Sequence, residues 1–172
     1  MIRTAIITLS DKGSKGERED ESGGVIREMI SRIGASVDFY EVLPDERPLI
    51  AASLKRLADS GVIDLILTTG GTGVAPRDVT PEATREVIDR ELPGMAEAMR
   101  AESLKKTPHA MISRAVAGIR KQTLIVNLPG SPRAVRENLS VILPALLHAV
   151  EKIKGDPTEC GNRKQEQAEN GQ

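Results

Sequence analysis

Two carboxylates, a guanidinium and a cluster of glycines are the residues of this chain best suited to chemistry. Gly70-Gly71-Thr72-Gly73 puts three glycines into four positions, and Arg77-Asp78 follows after Val74-Ala75-Pro76. Glycines there let the backbone turn sharply and bring its N–H groups up to a ligand with no side chain between. Thr80-Pro81 closes the segment as an expected N-cap with proline at the first helical position. A strand end, a glycine loop, a charged pair and a helix start are together suited to hold phosphate or another oxyanion. No lysine follows the glycines, so this is not a P-loop, and the spacing is not G-x-G-x-x-G. A plain strand-to-helix turn would use the same glycines but has no need of Arg77 and Asp78. Asp45, in Pro44-Asp45-Glu46, is the second carboxylate. Alone it reads as a turn residue. Asp78 alone reads as the salt-bridge partner of Arg77, and Arg77 reads equally as a phosphate contact. Facing one another, Asp45 and Asp78 would be hard oxygen ligands suited to Mg²⁺, which shares its shell with substrate phosphates. Such a metal would neutralise charge on a transferring phosphoryl or nucleotidyl group.

These residues must be positioned by the elements around them. Thr4–Leu9, Ser36–Leu43, Leu65–Thr69 and Thr123–Leu128 read as strands, and the first is apolar almost throughout, as when both faces are covered. Ser113–Ile119 reads as a further strand, turning through Arg120-Lys121-Gln122. At its start, Ser113 and Arg114 could reach a ligand or serve an ordinary loop. Helices are expected from Ser22 as cap to Gly34, from Pro48 to Gly61, from Pro81 to Arg90, from Pro93 past Leu104, and from Ser131-Pro132 to Ile153. The charged stretch 12–21 reads as a mobile lid or a solvent loop. Alternating strands and helices imply an α/β fold, a doubly wound, mostly parallel central sheet with helices on both faces. Strand ends at Ser10-Asp11, Pro44-Asp45, Gly70–Asp78 and Asn127–Ser131 would then converge on one edge, where a crevice forms.

Composition bounds the partners. The 172 residues suit one domain, 1–155, followed by a polar tail, 156–172, expected to be disordered. With 24 basic and 25 acidic residues there is no global field for nucleic acid or membrane. Phe39 and Tyr40 are the whole aromatic complement, which argues against base-stacking recognition. The lone Cys160 suits a reducing cytoplasm and is expected to be a bystander. No basic-then-apolar leader opens the chain, and no apolar run approaches the roughly 18 residues of a membrane span. His109 and His148 show no metal-ligand spacing.

Thr68-Thr69-Gly70-Gly71-Thr72-Gly73 followed by Arg77-Asp78-Val79-Thr80-Pro81-Glu82-Ala83 resembles the signature of the MogA/MoaB family of molybdenum cofactor biosynthesis. Leu9-Ser10-Asp11, Ser113-Arg114-Ala115-Val116-Ala117-Gly118 and Asn127-Leu128-Pro129-Gly130-Ser131-Pro132 agree with it, in order, over residues 3–153. Val79 and Gly94-Met95-Ala96-Glu97 look closer to the MogA branch. The resemblance implies a cytoplasmic, Mg²⁺-dependent molybdopterin adenylyltransferase, usually a homotrimer. It would transfer AMP from ATP to the terminal phosphate of molybdopterin, release pyrophosphate and hand its product to a separate molybdenum-insertion protein. The family's two important aspartates fall on Asp45 and Asp78, as catalytic and metal-binding residues. Its pterin site maps to Gly70, Gly71, Thr72, Gly73, Ser113, Pro129, Gly130 and Ser131, and Ser10 and Asp11 are candidates for the nucleotide. Two other readings stand beside this one: a module that binds or carries molybdopterin without adenylyl transfer, and a generic nucleotide-binding regulatory domain.

Overall fold

The computed structural model describes residues 1–157. The expected disordered tail lies outside them apart from Asp156 and Pro157, and so does Cys160. The chain runs β1 (Ile2–Leu9), α1 (Asp11–Ser14), α2 (Glu21–Ser31), β2 (Ala35–Leu43), α3 (Arg47–Asp59), β3 (Leu65–Thr69), α4 (Thr80–Val87) and β4 (Arg90–Glu91). It continues through α5 (Pro93–Leu104), a 3₁₀ turn (Pro108–Ile112), β5 (Ala117–Arg120), β6 (Thr123–Leu128) and α6 (Pro132–Ile153). The strands form one sheet in the order β2-β1-β3-β6-β5-β4. The first four of these are parallel, while β5 runs antiparallel to both of its neighbours. The expected doubly wound, mostly parallel sheet is therefore present.

Alternation along the strands builds two cores. Ile2, Ile6, Leu65, Leu67, Leu124, Val126 and Leu128 face α2, α5 and α6. Ala5, Ile7, Leu9, Ile66 and Ile125 face α3 and α4. β1 is the pivot: β2 pairs on one side of it and β3 on the other, so the chain reverses direction across the sheet there. The helix after β1 covers one face and the helix after β2 the other, which opens a gap at the carboxyl ends of β1 and β3.

Several boundaries differ from expectation. Asp20, not Ser22, caps α2, its side chain accepting from the Gly23 amide. The 12–21 stretch starts as the short helix α1, capped by Ser10. Thr80 is the first helical residue of α4 rather than its cap, because its hydroxyl is turned inward onto the Gly70 carbonyl at 2.9 Å. That helix stops at Val87, and Arg90–Glu91 pairs with β5 as an edge strand. Residues 113–116 precede β5 instead of belonging to it. Their polar groups are taken by the site, with the Arg114 amide on the Thr72 carbonyl and the Val116 amide on the Asn127 side chain.

Candidate active site

Four strand ends meet around a crevice of about 360 Å³. Its lining includes Thr8 near the end of β1 and Ser10 after it, Asp45 after β2, Thr69 at the end of β3 with Gly70, Gly71 and Asp78 after it, and Gly130 and Ser131 after β6. Asp20, Glu21 and Ser22 at the start of α2 close one side. Gly70 and Gly71 have φ of +100° and +65°, backbone that a side chain rarely adopts. A Cβ on Gly70 would collide with the Leu9 carbonyl, and one on Gly71 would meet Thr80 and lie 3.1 Å from Asp45 Oδ1. On Gly73 a Cβ would lie 2.9 Å from Asp78 Oδ2. The glycines thus supply both the turn and the space beside the two carboxylates. Gly130 packs against Gly70, where even a Cβ would come within 3.3 Å of the Gly70 Cα.

Hydrogen bonds fix these ends to one another. The amides of Asp11 and Asp45 each donate to the other's carboxylate, both at 3.1 Å. Thr69 Oγ1 donates to the Pro129 carbonyl at 2.6 Å and Ser22 Oγ to the Gly130 carbonyl at 2.7 Å. Ser131 caps the 22-residue α6, its hydroxyl oxygen accepting from the Ala134 amide at 3.3 Å. Beneath the loop, buried Asn127 donates to Thr68 Oγ1 at 3.0 Å and to Thr84 Oγ1 at 2.9 Å, and accepts from the Val116 amide at 3.1 Å. Thr84 in turn donates to the Thr80 carbonyl.

The local Arg77–Asp78 salt bridge, one of the two readings of Asp78, does not form. Arg77 makes a two-toothed ion pair with Asp11, at 2.8 and 2.6 Å, which holds Asp11 below the ordinary carboxylate pKa. Asp78 instead accepts from the Ala75 amide at 2.8 Å in its own turn. Asp45 moves the other way: burial is the main cause that raises its pKa, and the Asp11 and Asp78 carboxylates add to the rise, against the Asp11 N–H and Arg77. Five carboxylates (Glu19, Asp20, Glu21, Asp45, Asp78) line the crevice, with Arg18 as the cation among its lining residues. A half-buried aspartate in a cleft, with other carboxylates beside it, is an arrangement that is common at functional sites. Among the described residues, no group of three or more His, Cys, Asp or Glu side chains gathers to enclose a metal.

The remaining candidates lie further along the same loop. Thr72, Gly73, Ser113 and Pro129 line a second cavity of about 250 Å³, with Ala110, Ile112 and Ala134 among its other sides. The first half of the loop, Gly70 and Gly71, thus lines the crevice, and its second half, Thr72 and Gly73, lines the second cavity. Asp11 lines neither cavity and acts through Asp45 and Arg77. Sequence reasoning does not mark Arg18, Asp20, Ser22 or Asn127 as site residues, and it leaves Arg114 open between a ligand contact and a loop role. Asp20 had a signal, an aspartate three residues before Gly23 at a helix start. Arg114 and Asn127 act through pairings 32 and 59 residues away, for which local sequence carries no sign.

Residues 5–148 match the family model described as a probable molybdopterin binding domain. The molybdopterin adenylyltransferase of Helicobacter pylori strain 26695 is 46% identical over 157 residues, covering 90% of this chain and 89% of that one. The protein of the same name from Escherichia coli K12 is 42% identical over 146 residues, covering 84% and 75%. The crystal structure of the molybdopterin biosynthesis enzyme MoaB from Thermus thermophilus superposes with a TM-score of 0.86 at 53% identity, covering 92% of this chain and all of that one.

Proposed function

The chain belongs to the family of the probable molybdopterin binding domain, and on that footing we propose that it is a molybdopterin adenylyltransferase. It transfers AMP from ATP to the terminal phosphate of molybdopterin and releases pyrophosphate, a step of molybdenum cofactor biosynthesis. The observation that carries this reading is one glycine loop that lines two cavities in turn, its first half beside Asp45 and Asp78 in the crevice and its second half in the smaller cavity. Two substrates that react end to end need two such adjoining sites. Molybdopterin lies with its ring system in the smaller cavity, against Thr72, Gly73, Ser113 and Pro129. Its terminal phosphate reaches past Gly70, Gly71, Gly130 and Ser131 into the crevice. ATP occupies the crevice from the side of Ser10 and Asp11, and Arg18 meets its phosphates.

The donor set fits Mg²⁺. The lining carboxylates would repel a free nucleoside triphosphate, and Asp45, whose pKa is raised chiefly by burial and further by the Asp11 and Asp78 carboxylates, is a group whose charged form a cation would favour. Mg²⁺ takes one or two carboxylates and completes its shell with water and phosphate oxygen, so Asp45 and Asp78 would hold it without a full protein cage. When bound, it supplies charge neutralisation on the triphosphate. The chain's own residues do the rest. Loop amides orient the pterin phosphate so that one of its oxygens attacks the α-phosphorus. The bond from that phosphorus to the bridging oxygen breaks, the new P–O–P bond forms, and pyrophosphate leaves. The attacking oxygen is already anionic, so no side chain has to remove a proton. Residues 1–155 are the unit that carries this activity. The family likeness extends the proposal to a cytoplasmic homotrimer that hands adenylyl-molybdopterin to a molybdenum-insertion protein.

Incubating the purified protein with molybdopterin, Mg²⁺ and ATP tests this: pyrophosphate is released in proportion to the pterin added. Pterin binding with no pyrophosphate would make the chain a carrier module and overturn the enzyme reading.

A further inference from the structure

Arg114 comes from the segment before β5, yet three of its contacts fall on the loop that carries Asp78. Its Nε donates to the Gly73 carbonyl at 2.6 Å and its Nη2 to the Asp78 carbonyl at 2.6 Å. Its backbone amide donates to the Thr72 carbonyl at 2.9 Å. The remaining guanidinium nitrogen, Nη1, pairs with Glu82 Oε1 on the first turn of α4. The other oxygen, Glu82 Oε2, is buried with no hydrogen-bond partner among the described residues, so this side chain depends on Arg114. Burial alone would raise the Glu82 pKa; the Arg114 hydrogen bond and charge, with the residue's own amide, outweigh that and leave it lowered. A carboxylate with one oxygen buried and unpartnered is costly to keep if its only work is to join two surface segments.

We propose that Arg114, held by Glu82, is the positioning residue of the active site, clamping both ends of the Gly73–Asp78 loop so that the Asp78 carboxylate stays over the crevice. The assignment of a catalytic role to Asp78 rests on the function proposed above; the clamp itself does not. The flat guanidinium is required because it addresses two carbonyls and a carboxylate in one plane, and a lysine ammonium cannot hold all three in that geometry. Thr72 and Gly73 line the second cavity while Arg114 lines neither, so the clamp acts on the loop through its carbonyls and not from inside a cavity.

Two measurements on Arg114→Lys test this. The first needs no turnover. The Ala75 amide bonds to Asp78 Oδ2 and the Asp78 amide to the Ala75 carbonyl. With the clamp gone, hydrogen exchange at these two amides rises by about tenfold or more, while amides of β1, β3 and α6 keep their protection. Glu82→Gln keeps the volume and one oxygen for Nη1, and gives a smaller rise at the same amides. Unchanged exchange at Ala75 and Asp78 in both variants would overturn the clamp, whatever the protein does with ATP. The second is kinetic. Arg114→Lys lowers kcat by about a hundredfold with the KM for molybdopterin within about twofold, since a misplacement of about 1 Å suffices for that loss. Combined with Glu82→Gln, the loss stays within about twofold of that of Arg114→Lys alone, because the two side chains act as one unit. Losses that multiply would overturn the positioning role. A wild-type protein that releases no pyrophosphate, yet shows the exchange pattern, would overturn the function and leave the clamp standing.

Discussion

Asp45 and Asp78 carry different burdens although both are aspartates at strand ends. Asp78 has its own turn to hold it, through the Ala75 amide, and the Arg114 contacts on its backbone. Removing its charge while keeping its shape leaves the loop intact. Asp78→Asn therefore abolishes pyrophosphate release and leaves molybdopterin affinity within about threefold, measured by equilibrium binding. Asp45 has a raised pKa, caused chiefly by burial. The folded state thus binds its proton more tightly than the unfolded chain, and stability falls as pH climbs from the unfolded carboxylate value, ~3.9, through the raised folded one. Asp45→Asn removes that penalty, so its Tm exceeds the wild-type value at pH 7 and the difference closes as pH drops through ~4. The same variant loses activity, an opposition of stability and function that melting curves at several pH values would expose. Asn keeps an oxygen for the Asp11 amide, so loss of that bond is not the cause.

At the level of elements, the glycine loop is held by the strands and helices behind it. Asn127 on β6 uses both amide hydrogens and its carbonyl on β3, α4 and the segment before β5, all in a fully buried setting. Asn127→Leu keeps the bulk but strands the Val116 amide and removes the donor to the Thr68 and Thr84 hydroxyls. It costs about 3 kcal/mol in urea unfolding; a change under ~1 kcal/mol would mean that the network is dispensable. The strands were legible from their apolar runs: Leu65–Thr69 and Thr123–Leu128 stand in the structure at the expected bounds. So was the Ser131 cap with Pro132 after it. Thr80-Pro81 carried the same kind of signal and behaved otherwise, because the Gly70 carbonyl claimed the Thr80 hydroxyl across ten residues. Local capping signals are read from neighbours in the chain, and a partner brought by the turn can override them. The two-residue strand β4 was illegible for a related reason: Asp89 and Leu92 take the Ile119 and Ala117 carbonyls of β5, a pairing that no local pattern encodes.

For the molecule as a whole, near-neutral charge conceals a local imbalance. The chain has net charge −1, yet five carboxylates crowd one crevice around a single lining guanidinium. Composition showed only the balance, and the fold produced the imbalance by bringing the start of α2 up to the ends of four strands. Convergence of the strand ends followed from the alternating pattern, and the glycine–aspartate signature marked the right edge. The residues that sequence groups as one pterin site are divided between the linings of two cavities, with Gly70, Gly71, Gly130 and Ser131 in one and Thr72, Gly73, Ser113 and Pro129 in the other. No helix among the described residues is long and apolar enough to cross a membrane. The acidic crevice makes nucleotide binding conditional on metal: ATP with Mg²⁺ raises the Tm, by about 2.7 kcal/mol of stabilisation at a hundredfold excess over Kd, and ATP with a chelator does not. An equal shift in both would remove the case for Mg²⁺ at Asp45 and Asp78.

The most direct test of adenylyl transfer follows the phosphorus itself. ATP labelled at the α-phosphate is mixed with molybdopterin, Mg²⁺ and excess wild-type protein for a single turnover, beside a parallel sample of Asp78→Asn. An adenylyltransferase leaves the label covalently on molybdopterin in the wild-type sample, with unlabelled pyrophosphate beside it, and leaves it in ATP in the variant. Label that stays in ATP while molybdopterin is bound to the wild-type protein would contradict the assignment of this crevice.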